Sequence, residues 1–186
     1  MAEFEGLDEE QIRTIEKLRR RVIDSIANNM DLYGVTLSVG HLYGNMYFHE
    51  GPVTLDEMGQ TMGMSKTSMS TGMRTLLDLK MINKIWEKGA RKDLYDVEAD
   101  WHQNFADYFS IKWRKSMEMN LSSLNKSLLE IEKLREADPT NEKLLAYTDI
   151  DQRKIKEAIH YYKWLDRLID SLESGKIYEW IPKESN

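Results

Sequence analysis

The residues that suggest chemistry in this sequence form a short polar and basic run between Ser65 and Arg74. Within and just beyond it, apolar residues follow helical spacing, which predicts a helix with one apolar face made of Met69, Met73, Leu76 and Leu77. The opposite face carries side chains short and polar enough to approach base edges in the major groove of B-DNA. We therefore predict a DNA-contacting set of seven residues: Ser65, Lys66, Thr67, Ser68, Ser70, Thr71 and Arg74.

A second basic feature is the glycine-containing loop at 88–92, Lys-Gly-Ala-Arg-Lys. It is flanked by two β-favouring segments, 84–86 and 94–97, so the sequence predicts a hairpin with a basic tip. Such a tip follows the phosphate backbone beside or within the minor groove, and its contribution weakens with salt. Lys88, Arg91 and Lys92 complete the predicted DNA-contacting set.

The overall charge runs against nucleic-acid binding, because the chain carries a formal net charge of −6 and DNA-binding domains are often basic. The distribution of charge matters more than the sum. From Lys66 to Lys92 there are seven basic residues and two acidic ones, Asp78 and Glu87. The acidic balance therefore lies outside the segment that we expect to contact DNA.

The elements that must position these residues can be read from helix-start signals. Thr54 and Glu57 have the spacing of a capping box, which begins a short helix that ends at Gly63. Ser65 can cap the polar-faced helix that follows. A short helix, a turn, a second helix and a hairpin are the order of a winged helix-turn-helix. The predicted fold class is mainly α with a small β-hairpin, comprising a winged helix-turn-helix domain and long dimerisation helices.

Longer helices are predicted on either side of this segment. Asp8 and Gln11 form a capping box for a first helix that ends before Gly34. A second helix is predicted to begin at the cap Ser38 and to end at Gly51-Pro52. One long helix is predicted from Trp101 to Ala137. A final helix is predicted to begin with Asp138 as its cap and Pro139 as its first residue, and to end at Ser174-Gly175.

The predicted organisation is an N-terminal dimerisation helix at 1–35, the winged domain at 36–98 and a helical dimerisation region at 99–186. The apolar stripes of the two long helices exceed what one small domain covers. In one interpretation they pair in a homodimer that spaces two recognition helices by one DNA turn, ~34 Å. In the other they fold back as a monomeric bundle. Burial of apolar area favours the dimer.

Several classes of function lack their signatures. There is no cysteine, the four histidines are scattered, and no phosphate loop or catalytic triad motif is present. No apolar run approaches the roughly 20 residues that cross a bilayer, and the first residues are acidic. We expect a cytoplasmic protein that is not an enzyme and has no catalytic residues, metal, cofactor or membrane partner.

The stretch Thr54–Leu76 resembles the helix-turn-helix of MarR-type regulators, and the order of helices and wing resembles theirs along nearly the whole chain. Within that family, Asn29–Val35 and Gly40–Gly44 resemble the GbsR-like subgroup of Gram-positive repressors. That subgroup controls genes for uptake of glycine betaine or its synthesis from choline. The resemblance implies a repressor that binds an operator in double-stranded DNA and is relieved by choline or a related quaternary ammonium ligand.

A quaternary ammonium cannot donate a hydrogen bond, and aromatic faces hold it by cation–π attraction of ~0.5–2 kcal/mol each. Aromatic residues are plentiful where the winged domain meets the long helices. The cage candidates are Tyr43, Tyr47, Tyr95, Trp101, Tyr108 and Trp113. Aromatic residues at helical spacing are equally typical of a core. At the level of the whole protein, the alternative is a winged-helix adapter that contacts proteins and not DNA.

Overall fold

The computed structural model describes residues 4–89 and 92–184. They group into two compact units, the first ending at Asn104 and the second beginning at Phe105. Within those residues no helix is sufficiently long and apolar to span a membrane. The fold is mostly helical with one small antiparallel sheet, as the sequence predicts.

The described part of the first unit contains four α-helices, one short 3-10 helix and three strands, and it includes the start of a further α-helix. In chain order these are α1 (Glu9–Asn29), a short 3-10 helix (Met30–Tyr33), α2 (Leu37–Tyr47), β1 (Val53–Thr54), α3 (Leu55–Met62), α4 (Lys66–Asp78), β2 (Ile82–Ile85), β3 (Leu94–Val97) and the first residues of α5 (Trp101–Ala137).

The predicted helix starts at Asp8, Thr54 and Ser65 are confirmed. Asp8 and Gln11 form the reciprocal bonds of a capping box, and Thr54 and Glu57 do the same at α3. The Ser65 hydroxyl accepts a hydrogen bond from the Ser68 backbone N–H. These side chains satisfy backbone donors that have no partner inside a helix, so each start is determined locally.

The predicted cap at Ser38 is wrong, because α2 begins one residue earlier than that cap and its N-cap is Thr36. The Thr36 backbone is extended, and its carbonyl accepts the first bonds of the helix from Val39 and Gly40. The Thr36 and Ser38 hydroxyls lie 3.1 Å apart. Two residues of the type that caps helices thus occur within three positions, and the sequence alone does not show which of them is the N-cap. The helix ends at Tyr47, ahead of the predicted stop at Gly51-Pro52.

The sheet has the order β1-β3-β2, and both pairings are antiparallel. The predicted hairpin is confirmed as β2 and β3, but the strand predicted to include Trp86 ends at Ile85, and Trp86 is 84% exposed. The sequence did not predict β1. It has only two residues, and Thr54 ends the strand while it caps α3.

The core of the first unit is formed by one face of each helix and the inner side of the sheet. Its fully buried large side chains are Leu42, Tyr43, Val53, Met58, Met69, Met73, Leu76 and Ile82. This core places α4 against α2, so that the apolar face predicted for α4 is the buried one.

The second unit is a hairpin of two long helices. The helix predicted from Trp101 to Ala137 is confirmed as α5, and α6 (Glu142–Glu173) and the short α7 (Ile177–Trp180) follow. The prediction that Asp138 and Pro139 begin the final helix is wrong. The helix α6 starts at Glu142, and Asn141 is its N-cap. The Asn141 side chain accepts from the Leu144 N–H and also donates to Asp138.

The centre of this hairpin is a small apolar cluster of Met117, Leu165 and Ile169. Beside it, Arg114 of α5 bonds three acids of α6, namely Asp166, Asp170 and Glu173. The bonds to Glu173 and Asp170 raise the pKa of Arg114 above its already high usual value. Because Arg114 stays charged and bonds three carboxylates at once, it fixes the register of α5 against α6.

Two helices of the first unit approach closely at Gly40, where α2 packs on α1. A Cβ built on Gly40 would lie 2.7 Å from the Ala27 Cα and 2.9 Å from the Ala27 carbonyl oxygen. One turn later, a Cβ on Gly44 would meet Ile23 at 3.0 Å. The obstruction at Gly40 is backbone, which cannot move aside as a flexible side chain can.

We predict that Gly40→Ala destabilises the protein by roughly 1–3 kcal/mol, because the added methyl overpacks the α1–α2 contact. The measurement is urea unfolding followed by circular dichroism. Gly59→Ala is the matched control: its Cβ would meet the Met64 carbonyl oxygen at an ordinary 3.6 Å. Alanine in that helix should be neutral or stabilise by up to ~1 kcal/mol. Equal stability of both variants would contradict a backbone contact at Gly40.

Candidate nucleic-acid interface

The helix α4 presents one buried and one exposed face. Met69, Gly72, Met73 and Leu76 are buried, and a Cβ on Gly72 would lie 3.0 Å from a methyl of Leu42. The close packing on α2 fixes the rotation of α4 about its own axis. Among the predicted DNA-contacting residues on α4 and its cap, Ser70 is half-buried. The other six are exposed: Ser65, Lys66, Thr67, Ser68, Thr71 and Arg74.

The turn between α3 and α4 is short and locally determined. Gly63 ends α3 in the left-handed region at φ +63°, and the Met64 N–H returns to the Gly59 carbonyl. Ser65 then begins α4, and its hydroxyl also bonds the Ser68 hydroxyl at 2.9 Å. Both serine hydroxyls are thus engaged at the helix start, which leaves Lys66 and Thr67 as the outward groups of the first turn.

The three predicted basic residues of the wing have different surroundings. Lys88 lies exposed at the tip, and Arg91 lies outside the described residues. The Lys92 side chain is 61% exposed, but its ammonium is paired: it lies 2.6 Å from the Asp56 carboxylate in the first turn of α3. This hydrogen bond and the opposite charge lower the pKa of Asp56 and raise that of Lys92.

Three of the six cage candidates meet in the first unit. The rings of Tyr43 and Tyr47 are 6.4 Å apart, and Trp101 lies 5.9 Å from the first and 5.3 Å from the second. The Trp101 indole N–H donates to the Tyr47 hydroxyl at 3.3 Å. Trp101 is 44% exposed, whereas Tyr43 is 1% exposed. The cluster therefore has a buried end and an open end.

Of the other three candidates, one lies in the sheet of the first unit and two lie in the second unit. Tyr95 is buried in β3, where Val53 and Lys84 are its cross-strand neighbours. Tyr108 and Trp113 belong to the second unit, where the Lys112 ammonium lies 5.8 Å from the Tyr108 ring centre and Trp113 packs on Phe109.

The burial of Tyr43 is accompanied by a small hydrogen-bond network. Its hydroxyl donates to the Glu98 carbonyl at 3.1 Å and accepts from the Asn104 amide at 2.7 Å. The same amide donates to the Glu98 carbonyl at 2.9 Å. Burial raises the pKa of the Tyr43 phenol well above its usual range, so the hydroxyl stays protonated.

Comparison with known proteins assigns the chain to a family. The HTH-type transcriptional repressor GbsR of Bacillus subtilis (strain 168) is 38% identical over 180 residues, 94% of this chain and 97% of that protein. The chain belongs to the GbsR family of transcriptional regulators. Residues 101–179 match the family model for the GbsR C-terminal helical hairpin, and the HTH-type transcriptional repressor OpcR of the same strain is 37% identical over 169 residues, 91% of each chain.

The fold of this chain is shared with a solved structure. A solved structure described as a transcriptional regulator superposes with a TM-score of 0.58 over 85% of this chain and 97% of that chain, at 15% identity. The expected GbsR-like family is confirmed, and so is the mainly helical fold class with a helix-turn-helix and a small β-hairpin. Membership of a family of transcriptional regulators also confirms that this GbsR-family protein is not an enzyme.

Sequence reasoning missed two residues that join the aromatic cluster or support it. Phe48 packs edge-on against Tyr47 at 5.5 Å, and Asn104 ties Tyr43 to the segment before α5. The adjacency of Phe48 to Tyr47 was a signal that could have been used. Asn104 gave none, because a polar residue in a helix becomes informative only when its burial is known.

Among the residues with described positions, no three His, Asp or Glu side chains gather to hold a metal.

We predict that Tyr43→Phe destabilises this GbsR-family protein by about 1–3 kcal/mol, since it leaves the buried Asn104 amide and Glu98 carbonyl with one partner fewer. Thermal unfolding at neutral pH measures the loss. Tyr47→Phe is the control, because that hydroxyl is half-buried and accepts only a long bond from Trp101. A larger effect at Tyr47 than at Tyr43 would contradict the network.

Proposed function

We propose that this chain is a cytoplasmic DNA-binding transcriptional repressor that inserts α4 into the major groove of an operator. The observation that carries the proposal is the two-faced α4, which buries Met69, Met73 and Leu76 and leaves Lys66, Thr67, Thr71 and Arg74 exposed. Short polar side chains read base edges, whereas lysine and arginine add phosphate or guanine contacts. The basic wing tip, with Lys88 and Arg91, would follow the backbone beside the groove.

The repressor acts as a homodimer in this proposal. Dimers of helix-turn-helix proteins place two recognition helices one turn apart, ~34 Å, on a symmetric site. Support comes from the long helices, where large apolar side chains remain at least half exposed in the single chain. On α5 and α6 these include Met119, Leu129, Leu134, Tyr147, Tyr161 and Trp164. Covering such residues with a second copy removes apolar surface from water, which stabilises association.

We predict that Arg74→Ala together with Arg91→Ala weakens operator binding by at least 10-fold, because each arginine supplies a contact of about 1–3 kcal/mol to a base or part of the salt-dependent affinity. The measurement is fluorescence anisotropy with the protein's own upstream DNA over a series of salt concentrations. Lys156→Ala, an exposed charge on α6, is the control and should bind as the parent does. Unchanged affinity in the double variant would favour the protein-contacting adapter.

The second part of the proposal concerns the effector, which we take to be choline or a related quaternary ammonium compound that relieves repression. Support for an aromatic site comes from the cluster of Tyr47 and Trp101, in which Trp101 is exposed, with Phe48 against Tyr47 and the buried Tyr43 in contact with both. The direction of the effect and the link to glycine betaine uptake or synthesis rest on the resemblance to GbsR-like repressors. A ligand changes DNA affinity only as far as it prefers one conformation of the protein to another.

We predict that Tyr47→Ala and Trp101→Ala each weaken choline binding by roughly 3–30-fold, the equivalent of one cation–π contact. Isothermal titration calorimetry with choline measures the affinity. Trp180→Ala removes an indole that is 70% exposed in α7 and should leave binding unchanged. Tyr95, Tyr108 and Trp113 remain candidates for the rest of the cage and belong in the same series. Unaltered affinity in all five alanine variants would refute the aromatic site.

A further inference from the structure

The base of the wing is held from both sides by ion pairs. On one side, β1 pairs with β3 through Thr54 opposite Leu94, and Lys92 and Asp56 lie two residues beyond that pair on their respective segments. The ion pair thus lies directly beyond the end of the β1–β3 pairing, between the first turn of α3 and the residues before β3. On the other side, Asp93 bonds Lys84 of β2 at 2.8 Å. Lys92 and Asp93, the two residues before β3, thus form ion pairs with α3 and with β2, respectively.

Asp56 is a well-placed anchor for such a contact. It lies in the first turn of α3, directly before Glu57, whose carboxylate closes the capping box with Thr54. A carboxylate in the first turn also interacts favourably with the helix dipole. The anchor is thus fixed by the same helix start that ends β1, and the Lys92 ammonium reaches it at 2.6 Å.

We propose that Lys92 is a positioning residue, which fixes the wing to α3 through Asp56 and does not contact a DNA phosphate. This inference rests on the proposed DNA binding and revises the role that the sequence suggested for Lys92. In helix-turn-helix proteins the first helix of the motif crosses the DNA backbone. If Lys92 left for a phosphate, it would expose the Asp56 charge to that backbone, so the exchange would gain little.

Salt dependence distinguishes the two roles. Each lysine that neutralises a phosphate contributes about 0.9 to the slope of log affinity against log salt concentration, and a positioning residue contributes nothing of this kind. The experiment compares Lys92→Met with Lys88→Met in the full-length protein on the same operator. We expect Lys88→Met to reduce the slope by about 0.9 per subunit, and Lys92→Met to weaken binding several-fold with the slope unchanged.

The partner residue supplies the second arm. Asp56→Asn should weaken binding as Lys92→Met does, and the double variant should be no worse than either single one, because both changes break the same contact. Exchanging the charges, with Lys92→Asp and Asp56→Lys together, should restore affinity. Tighter binding by Asp56→Asn, or a slope loss in Lys92→Met equal to that of Lys88→Met, would overturn the proposal and identify Lys92 as a phosphate contact.

A third arm needs no DNA and separates this proposal from the proposed function. Hydrogen exchange at the β3 backbone amides reports how firmly the wing is held. We expect faster exchange in Lys92→Met and in Asp56→Asn than in the parent, and no change in Lys88→Met. Equal exchange in all four proteins would overturn the positioning role even if DNA binds. Failure of the parent to bind any duplex would instead refute the repressor function itself.

Discussion

The packing of α4 on α2 is the contact on which the proposed DNA-binding surface depends. Gly72 lets α4 pack closely on Leu42 because it carries no Cβ, and Met69 and Met73 are buried on the same face of α4. A helix that is buried along one side has a single rotation about its axis, which determines the residues that face outward. The same burial that stabilises the first unit therefore selects Thr67, Thr71 and Arg74 for the surface.

Most of the fold could be predicted because its signals are local. Capping boxes at Asp8 and Thr54 and the uninterrupted helical spacing after Trp101 require only neighbouring residues. The errors arose where two local signals competed, as at Thr36 with Ser38 and at Asn141 with Asp138-Pro139. The strand β1 has too few residues to show any period, and it exists because β3, some forty residues later, pairs with it.

The candidate site could be predicted in composition but not in its contacts. The outward face of α4 follows from helical period alone, whereas the pair of Lys92 with Asp56 joins residues 36 positions apart and leaves no pattern in the sequence. Counting basic residues therefore overstated the number of free positive charges in the wing. The aromatic candidates divide in the same way: proximity along α2 placed Tyr43 beside Tyr47, and only the folded chain adds Trp101 to them.

The methionines of the first unit have a mechanical consequence. Met58, Met69, Met73 and Met81 are all nearly fully buried around α3, α4 and the start of the sheet. Unbranched thioether side chains repack with little loss of contact, so a core rich in them deforms more readily than one built of valine and isoleucine. The glycine contact between α1 and α2 is stiff by comparison. The methionine-rich core beneath α4 therefore absorbs small displacements of that helix more readily than the glycine contact does.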